Sequence, residues 1–487
     1  MSATILFSLV TIYFAVLLFV AWRTGRNAGN DSFFIGNRNS NWMLVAFGMI
    51  GTSLSGVTFV SVPGTVGSNG FGYFQVVIGN FIGYFIVAFV LLPLYYKLNL
   101  TSIYTYLQQR FGNTAYKTGA LFFIASRIVG ATARLYLVIN VLQVFILDNM
   151  HVPFWLTTFV ILLMILLYTF EGGVKTIVFT DTLQTTFMLF GLVVCVVYIM
   201  NNLGFSFSET IHVLHEKNYS NIFNTDVNRA GFWLKSILGG AFITIGLNGL
   251  DQEMMQKNIS IKTLKGAQKN MMSFSAVMLL VNLLFLLLGG LLYVFAASKN
   301  INIKGDDLFP SIALNYLPPF IGIIFIIGLI SALFPSADGA LTAITSSFCI
   351  DILGLKKNEL KNEVEKKRTR MTVHITFAVV FLICVVIFKW INDKSIIGLI
   401  LKFAGYTYGP LLGLFAFGML TKRLLPQGFA LVAVCFAAPV ICYFVSANAA
   451  AWFNGFQIGI ELLILNGLLT FLGLWMISKK DKSISAQ

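Results

Sequence analysis

Four ionisable residues stand inside stretches otherwise apolar enough for a lipid bilayer. Asp181 lies in "FTDTLQTTF", with Thr180, Thr182, Gln184 and Thr185 around it. Asp338 lies in "SALFPSADGALTAITSS", preceded by Ser336 and followed by Thr342, Thr345, Ser346 and Ser347. Arg127 and Arg134 share the apolar run 117–146, and their seven-residue spacing puts both on one helix face. A charge at membrane depth is costly, and it marks a pair, a cavity or a substrate path. Carboxylates among hydroxyls, next to a proline that frees a backbone carbonyl, form an all-oxygen set. Such a set suits a hard monovalent cation such as Na⁺, by the logic that gives Ca²⁺ its oxygen ligands. The plainer reading of Asp181 is an internal pair or a helix end, and of Asp338 a kinked packing helix. An arginine in this setting holds an anionic solute by a bidentate pair, snorkels to an interface, or ties helices together.

The backbone that must position these groups is itself interrupted. "GTSLSGVTFVSVPG" (51–64) sits at the centre of a span-length apolar run. It contains three glycines, a proline and the hydroxyls of Thr52, Ser53, Ser55, Thr58 and Ser61. Irregular backbone at that depth is tolerated only where protein or a cavity satisfies it. Two further places are weak by the same criterion. Gly239 and Gly240 loosen the run 231–254, with Asn248 following, and "AGYTYGPLLG" predicts a kink at Gly409–Pro410. Packing through small residues explains these two equally well.

Composition sets the class. Of 487 residues, 57% are hydrophobic and 11% charged, against about 25% charged in soluble domains. Too little polar surface exists to cover a soluble particle, and the chain reads as an all-α, multi-spanning membrane protein. About thirteen spans are expected, near 3–22, 43–66, 71–97, 117–146, 153–169, 174–201, 231–254, 271–296, 318–353, 371–391, 396–421, 426–446 and 455–477, each long enough to cross. The first lacks a basic flank and cleavage site and reads as a retained helix, not a signal peptide. The net charge of +14 is explained by Lys and Arg in loops on one side, Lys257 counted among them, so no nucleic-acid partner is expected. That asymmetry places the N-terminus outside and the C-terminus in the cytoplasm, in the plasma (inner) membrane. The five cysteines form no CxxC pair, and neither a zinc site nor a phosphate-binding loop is present.

Broken helices in corresponding positions of two halves point to an inverted-repeat transporter. Counting spans after the first, 43–66 and 231–254 each open a five-helix repeat. The division expected is 1–42 (extra helix and cytoplasmic link), 43–201 (first repeat), 202–230 (outer loop), 231–421 (second repeat, with the basic linker 354–370) and 422–487 (two more helices and a tail).

Four ordered motifs resemble those of the sodium/solute symporter family. They are "DSFFIGNRNSNW" (31–42), "FTDTLQ" (179–184), "LDQEMMQKNIS" (250–260) and "GPLLGLFAFGMLTKR" (409–423). The resemblance implies a LeuT-like 5+5 fold with one extra N-terminal and two extra C-terminal helices, and Na⁺-coupled uptake by alternating access. It implies a sodium site built from the carbonyls of Gly51 and Leu54 with Ala332, Pro335 and Ser336. A second sodium site would use Asp181. The solute pocket would use Ser55, Thr58, Phe71 and Gln75, with Phe74 beside Phe71, and Arg127 would meet a solute carboxylate, Arg134 being the other candidate. One departure stands out. The family often has two adjacent serines where this chain has Pro335 and Ser336, and nearby hydroxyl or small positions become Asp338 and Gly339. Asp338 is expected to compensate as an ion ligand.

The function expected is therefore symport of a small polar solute with Na⁺, the solute being a carboxylated sugar acid such as sialate. A proton-coupled or uncoupled carrier on the same fold is the alternative. A membrane sensor is disfavoured because the chain ends about ten residues past the last span. An intramembrane enzyme is disfavoured because HExxH and GxSxG are absent.

Overall fold

The computed structural model describes residues 3–25, 33, 38–169, 173–355, 362–391 and 396–480. Half of the 31–42 motif and positions 356–361 of the charged linker lie outside the described residues. The membrane helices are numbered here in chain order: α1 Ala3–Gly25, α2 Trp42–Ser53, α3 Gly56–Asn69, α4 Tyr73–Lys97, α5 Asn113–Met150, α6 Phe154–Thr169, α7 Gly173–Leu203, α8 Trp233–Gly249, α9 Gln252–Ile259, α10 Leu264–Ser298, α11 Pro319–Ile352, α12 Glu363–Ile391, α13 Ile396–Leu420, α14 Phe429–Trp452 and α15 Leu462–Ile477. Eight of these are long and apolar enough to cross a bilayer, or ten when each bent pair counts as one span. Three shorter apolar helices, Val10–Arg23, Phe154–Thr169 and Leu462–Ile477, fall at the remaining expected positions.

Two spans are broken. The axis turns by 56° between α2 and α3 and by 64° between α8 and α9. At the first break the Leu54 N–H closes on Ile50, and Ser55 takes an extended conformation before α3 begins. A side chain at Gly56 would run into Val138 of α5, so glycine lets the new helix start against its neighbour. The second break is not at Gly239–Gly240. It follows a wide π-helical turn, Ile245–Gly249, and lies at Asp251, whose side chain accepts the Glu253 and Met254 N–H groups as an N-cap. The two glycines serve packing: a Cβ on Gly240 would collide with the Val76 carbonyl, and one on Gly239 with Ile460. Close backbone approach through small residues is how helices pack in lipid, where no hydrophobic force drives them together. Helix α13 runs through Gly409–Pro410 without interruption. Gly409 there makes room for Asn466 of α15, whose amide donates to the carbonyls of Gly405 and Tyr406.

Around the breaks, α7 packs along α11 and α2, α5 along α11 and α13, and α10 along α3. The break of α2–α3 thus faces α7 on one side and α11 on the other.

Candidate functional site

The first cluster lies at that break. Gly51 and Leu54 are buried, and among the described residues no backbone N–H is donated to either carbonyl, because Leu54 bonds to Ile50 and the next helical bond across the break is Phe59 to Ser55. Two buried carbonyls without donors are what a dehydrated cation requires. From α11, Ala332 and Ser336 are buried, and the Ser336 hydroxyl donates to the Leu333 carbonyl at 3.0 Å, which leaves its lone pairs free. Pro335 supplies no hydroxyl, and its missing N–H leaves the Ser331 carbonyl without its helical donor. The space is tight: a Cβ on Gly51 would fall onto the Thr185 hydroxyl and lie 3.5 Å from the Pro335 ring. Gly51→Ala is therefore expected to raise the Na⁺ concentration needed for half-maximal thermal stabilisation about tenfold and to cost about 1–3 kcal/mol through overpacking. A titration of the unfolding midpoint with NaCl checks both.

A second cluster, just beside the first, is a network of buried charges. The Asp181 carboxylate on α7 accepts from Lys257 Nζ at 2.7 Å and from the Thr52 hydroxyl at 3.2 Å. Lys257 also donates to Thr52. Lys257 is thus a buried partner of Asp181 and not the solvated loop charge that the sequence suggested. The Arg127 guanidinium is paired with Glu253 and lies 3.6 Å from Asp251. Asp251 accepts from the Tyr408 phenol at 2.5 Å. Glu253 also fills the space beside Gly339, where any Cβ would strike its carboxylate. Asp338 accepts a 2.6 Å bond from the Tyr168 phenol on α6, and its second oxygen has no partner among the described residues. In low dielectric each pair must be kept whole, because removing one partner leaves a bare buried charge.

The third feature is a cavity bordered by the break. Ser55 at the break and Thr58 of α3 line it, as expected, together with Thr52 and Ser53. Phe71 and Gln75 do not. Phe71 is buried in the core. Gln75 is fully buried, donates to the carbonyls of Gly72 and Gly231, and accepts from the Asn224 N–H, so it fastens the outer loop. Helix α4 instead presents Tyr73, Val76, Asn80 and Tyr84, one face at helical spacing. Asn248 and Asn282 add two more amides. Both arginines of α5 reach the cavity, but they differ. Arg127 is neutralised by Glu253 and Asp251, whereas Arg134 is half-buried and forms no ion pair or hydrogen bond with a described residue. Among the described residues, Arg134 is thus the cavity arginine without an ion pair.

The sequence carried a signal for part of what it failed to assign. Asp251, Glu253 and Lys257 lie within the "LDQEMMQKNIS" motif, and three charges in seven residues at a span end are unusual. The partners of those charges, Arg127 on α5 and Asp181 on α7, lie 126 and 76 residues away; each stands out by itself in the sequence, but nothing local couples it to this motif.

Comparisons with known proteins agree with this architecture. A profile of the sodium:solute symporter family matches residues 33–436. A sodium/sialic acid symporter from Aliivibrio fischeri is 23% identical over 479 residues, 96% of this chain and 92% of its own. A sodium-coupled monocarboxylate transporter 2 from Mus musculus is 27% identical over 257 residues, 52% of this chain and 40% of that protein. The solved substrate-bound, outward-open structure of a Na⁺-coupled sialic acid symporter superposes with a TM-score of 0.81 at 20% identity, covering 98% of this chain and 99% of that one. At that identity it fixes the LeuT-like fold alone. With the family matched over most of the chain, the broken helices and buried oxygen sites belong to a transporter and not an enzyme: the chain is a member of the sodium:solute symporter family, multi-pass membrane proteins that move a solute coupled to Na⁺.

Proposed function

We propose that the solute is a small carboxylated sugar acid of the sialate type, anchored by Arg134. The observation that carries this reading is the Arg134 guanidinium, without an ion pair among the described residues, in a cavity whose other lining is apolar and neutral polar side chains and the already paired Arg127. A guanidinium offers a carboxylate two parallel hydrogen bonds. The hydroxyls of Ser55 and Thr58 and the amides of Asn80, Asn248 and Asn282 suit the hydroxyls of a sugar. The relatives support the class, since sialic acid and monocarboxylates, named for two of them, are both carboxylates.

Na⁺ occupies the break, held by Gly51, Leu54, Ala332 and Ser336. Pro335 shapes the site without supplying an oxygen. Ion binding draws α2–α3 toward α11 and so completes the wall that carries Ser55 and Thr58. Ion and solute then favour the same closed form, and each tightens the other by the same factor. The membrane potential contributes about 2.3 kcal/mol per charge per 100 mV. Asp338 is hydrogen-bonded by a phenol and, unlike Asp181, Asp251 and Glu253, has no directly contacting cation among the described residues, and it takes up a second cation, Na⁺ or a proton. Asp181 shares that second site only through the oxygen not held by Lys257. The N-terminus lies outside and the C-terminus inside, in the plasma (inner) membrane. The chain divides into two five-helix repeats, 43–201 and 231–421, joined by the outer loop 202–230 and flanked by 1–42 and 422–487.

The test is a thermal-shift screen of the purified protein with sialate, other sugar acids, short monocarboxylates and neutral sugars, each in NaCl and in choline chloride. Stabilisation by a sugar acid in NaCl and not in choline is expected. Equal stabilisation in both salts would remove Na⁺ coupling in favour of proton coupling through Asp338 or uncoupled carriage. A response to neutral sugars alone would remove Arg134 as the anchor.

A further inference from the structure

We propose that the Thr185 hydroxyl is a ligand of the Na⁺ at the α2–α3 break and replaces the oxygen that Pro335 removes from the site. The proposal rests on reading that break as the ion site. Three observations converge on it.

Pro335 leaves α11 with a single hydroxyl, Ser336, at this level of the helix. The ion is then one side-chain oxygen poorer than the two-serine arrangement allows.

Thr185, on the facing helix α7, is fully buried, and its Oγ1 has no hydrogen-bond partner among the described residues. Its neighbours behave otherwise. Thr180, Thr182 and Thr186 each return their hydroxyl proton to a carbonyl one turn earlier on the same helix. That back-bond is the default for a threonine in a membrane helix. Thr185 forgoes it and turns its oxygen off its own helix. An orphan buried hydroxyl costs about 1–3 kcal/mol, a cost that a bound cation offsets.

The oxygen points at the break. The position that a Gly51 side chain would take lies against Thr185 Oγ1 and 3.5 Å from Pro335 Cγ. The glycine that offers a free carbonyl, the threonine with an unused hydroxyl and the proline that lost one therefore meet at a single point between three helices. Asp181, one turn before Thr185, is already matched by Lys257, so the ion at the break is held by neutral oxygens.

The experiment uses the full-length purified protein without solute. The unfolding midpoint is followed as NaCl replaces choline chloride at constant ionic strength. Thr185→Val, which keeps shape and loses the hydroxyl, is expected to raise the half-saturating Na⁺ concentration about tenfold. Thr185→Ser, which keeps the hydroxyl, is expected to stay within about threefold of wild type. Thr185→Val combined with Pro335→Ser, which restores the oxygen from the other helix, is expected to recover most of the loss. The midpoint in choline alone reports whether each variant is folded. If Thr185→Val fails that check, Thr185→Ala takes its place. A wild-type Na⁺ response together with an unchanged value in the hydroxyl-free variant overturns the Thr185 assignment alone. A wild-type protein that does not respond to Na⁺ overturns the ion-site reading, and the assignment with it.

Discussion

Replacing Arg134 by Gln is expected to weaken binding of a carboxylated solute about a hundredfold or more, while the Na⁺-induced stabilisation measured without solute stays at its wild-type value. The size follows from the loss of a charge-assisted, bidentate bond at a half-buried guanidinium, where truncating one partner of a buried charge pair costs about 2–5 kcal/mol. Arg134→Lys keeps the charge but not the planar fork and is expected to fall between. Arg127→Gln behaves differently. It strips the partner from Glu253 and Asp251, leaves buried carboxylates uncompensated, and is expected to destabilise the fold by about 3–5 kcal/mol whether or not solute is present. Isothermal titration with the best solute of the screen, set beside thermal unfolding in its absence, separates a binding role from a structural one. If Arg134→Gln binds the acid as wild type does and Arg127→Gln folds normally but does not bind it, the two assignments are reversed.

Asp181→Asn and Lys257→Met, made singly, are each expected to lower stability by about 3–5 kcal/mol, and the double variant is expected to regain most of it. The pair is buried on both sides, with the ammonium 2.7 Å from the carboxylate and Thr52 bonded to both. Either single change leaves one buried charge without its directly paired counter-charge. Removing both charges removes the penalty together with the attraction, and such double replacements are often near neutral. The double variant also decides what Asp181 does. If it folds and its Na⁺ titration is unchanged, Asp181 is a structural counter-ion of Lys257. If it folds and loses Na⁺ stabilisation, the carboxylate binds the ion and Lys257 holds its place when the ion is absent. Thr52 makes the distinction interesting, because it lines the cavity and also bonds the Asp181–Lys257 pair. Any rearrangement of that pair reaches the cavity wall through one side chain.

The sequence by itself determined the membrane class, the all-helical fold and the first broken helix, for reasons that are local. Span length, the scarcity of charge and the cluster "GTSLSG" are properties of neighbouring residues, and the bilayer forces each backbone group to be satisfied within its segment. Ser55, Thr58, Gly51 and Leu54 were reached through the resemblance of the chain's motifs to the symporter family, which aligns these positions with the family's ion and solute sites. What only the tertiary structure decided is how the buried charges are shared out. Arg127 and Arg134 are equivalent in sequence, seven residues apart on one face. They differ because Glu253 and Asp251, brought up by the second break, reach the first and not the second. The second break itself was misplaced at Gly239–Gly240, since a glycine pair that admits a neighbouring helix and one that ends a helix look alike until the neighbour is present. Lys257 read as a loop charge for the same reason, its partner lying 76 residues away on α7. Gln75 and Phe71 sat close enough in sequence to the break to pass for pocket residues, but the rotation of α4 turned Tyr73, Val76 and Asn80 to the cavity in their place. Local sequence sets which groups must be buried and satisfied. Only the packing of distant helices sets which group satisfies which, because a buried charge is stabilised by whatever lies within a few ångströms and chain distance plays no part in that interaction.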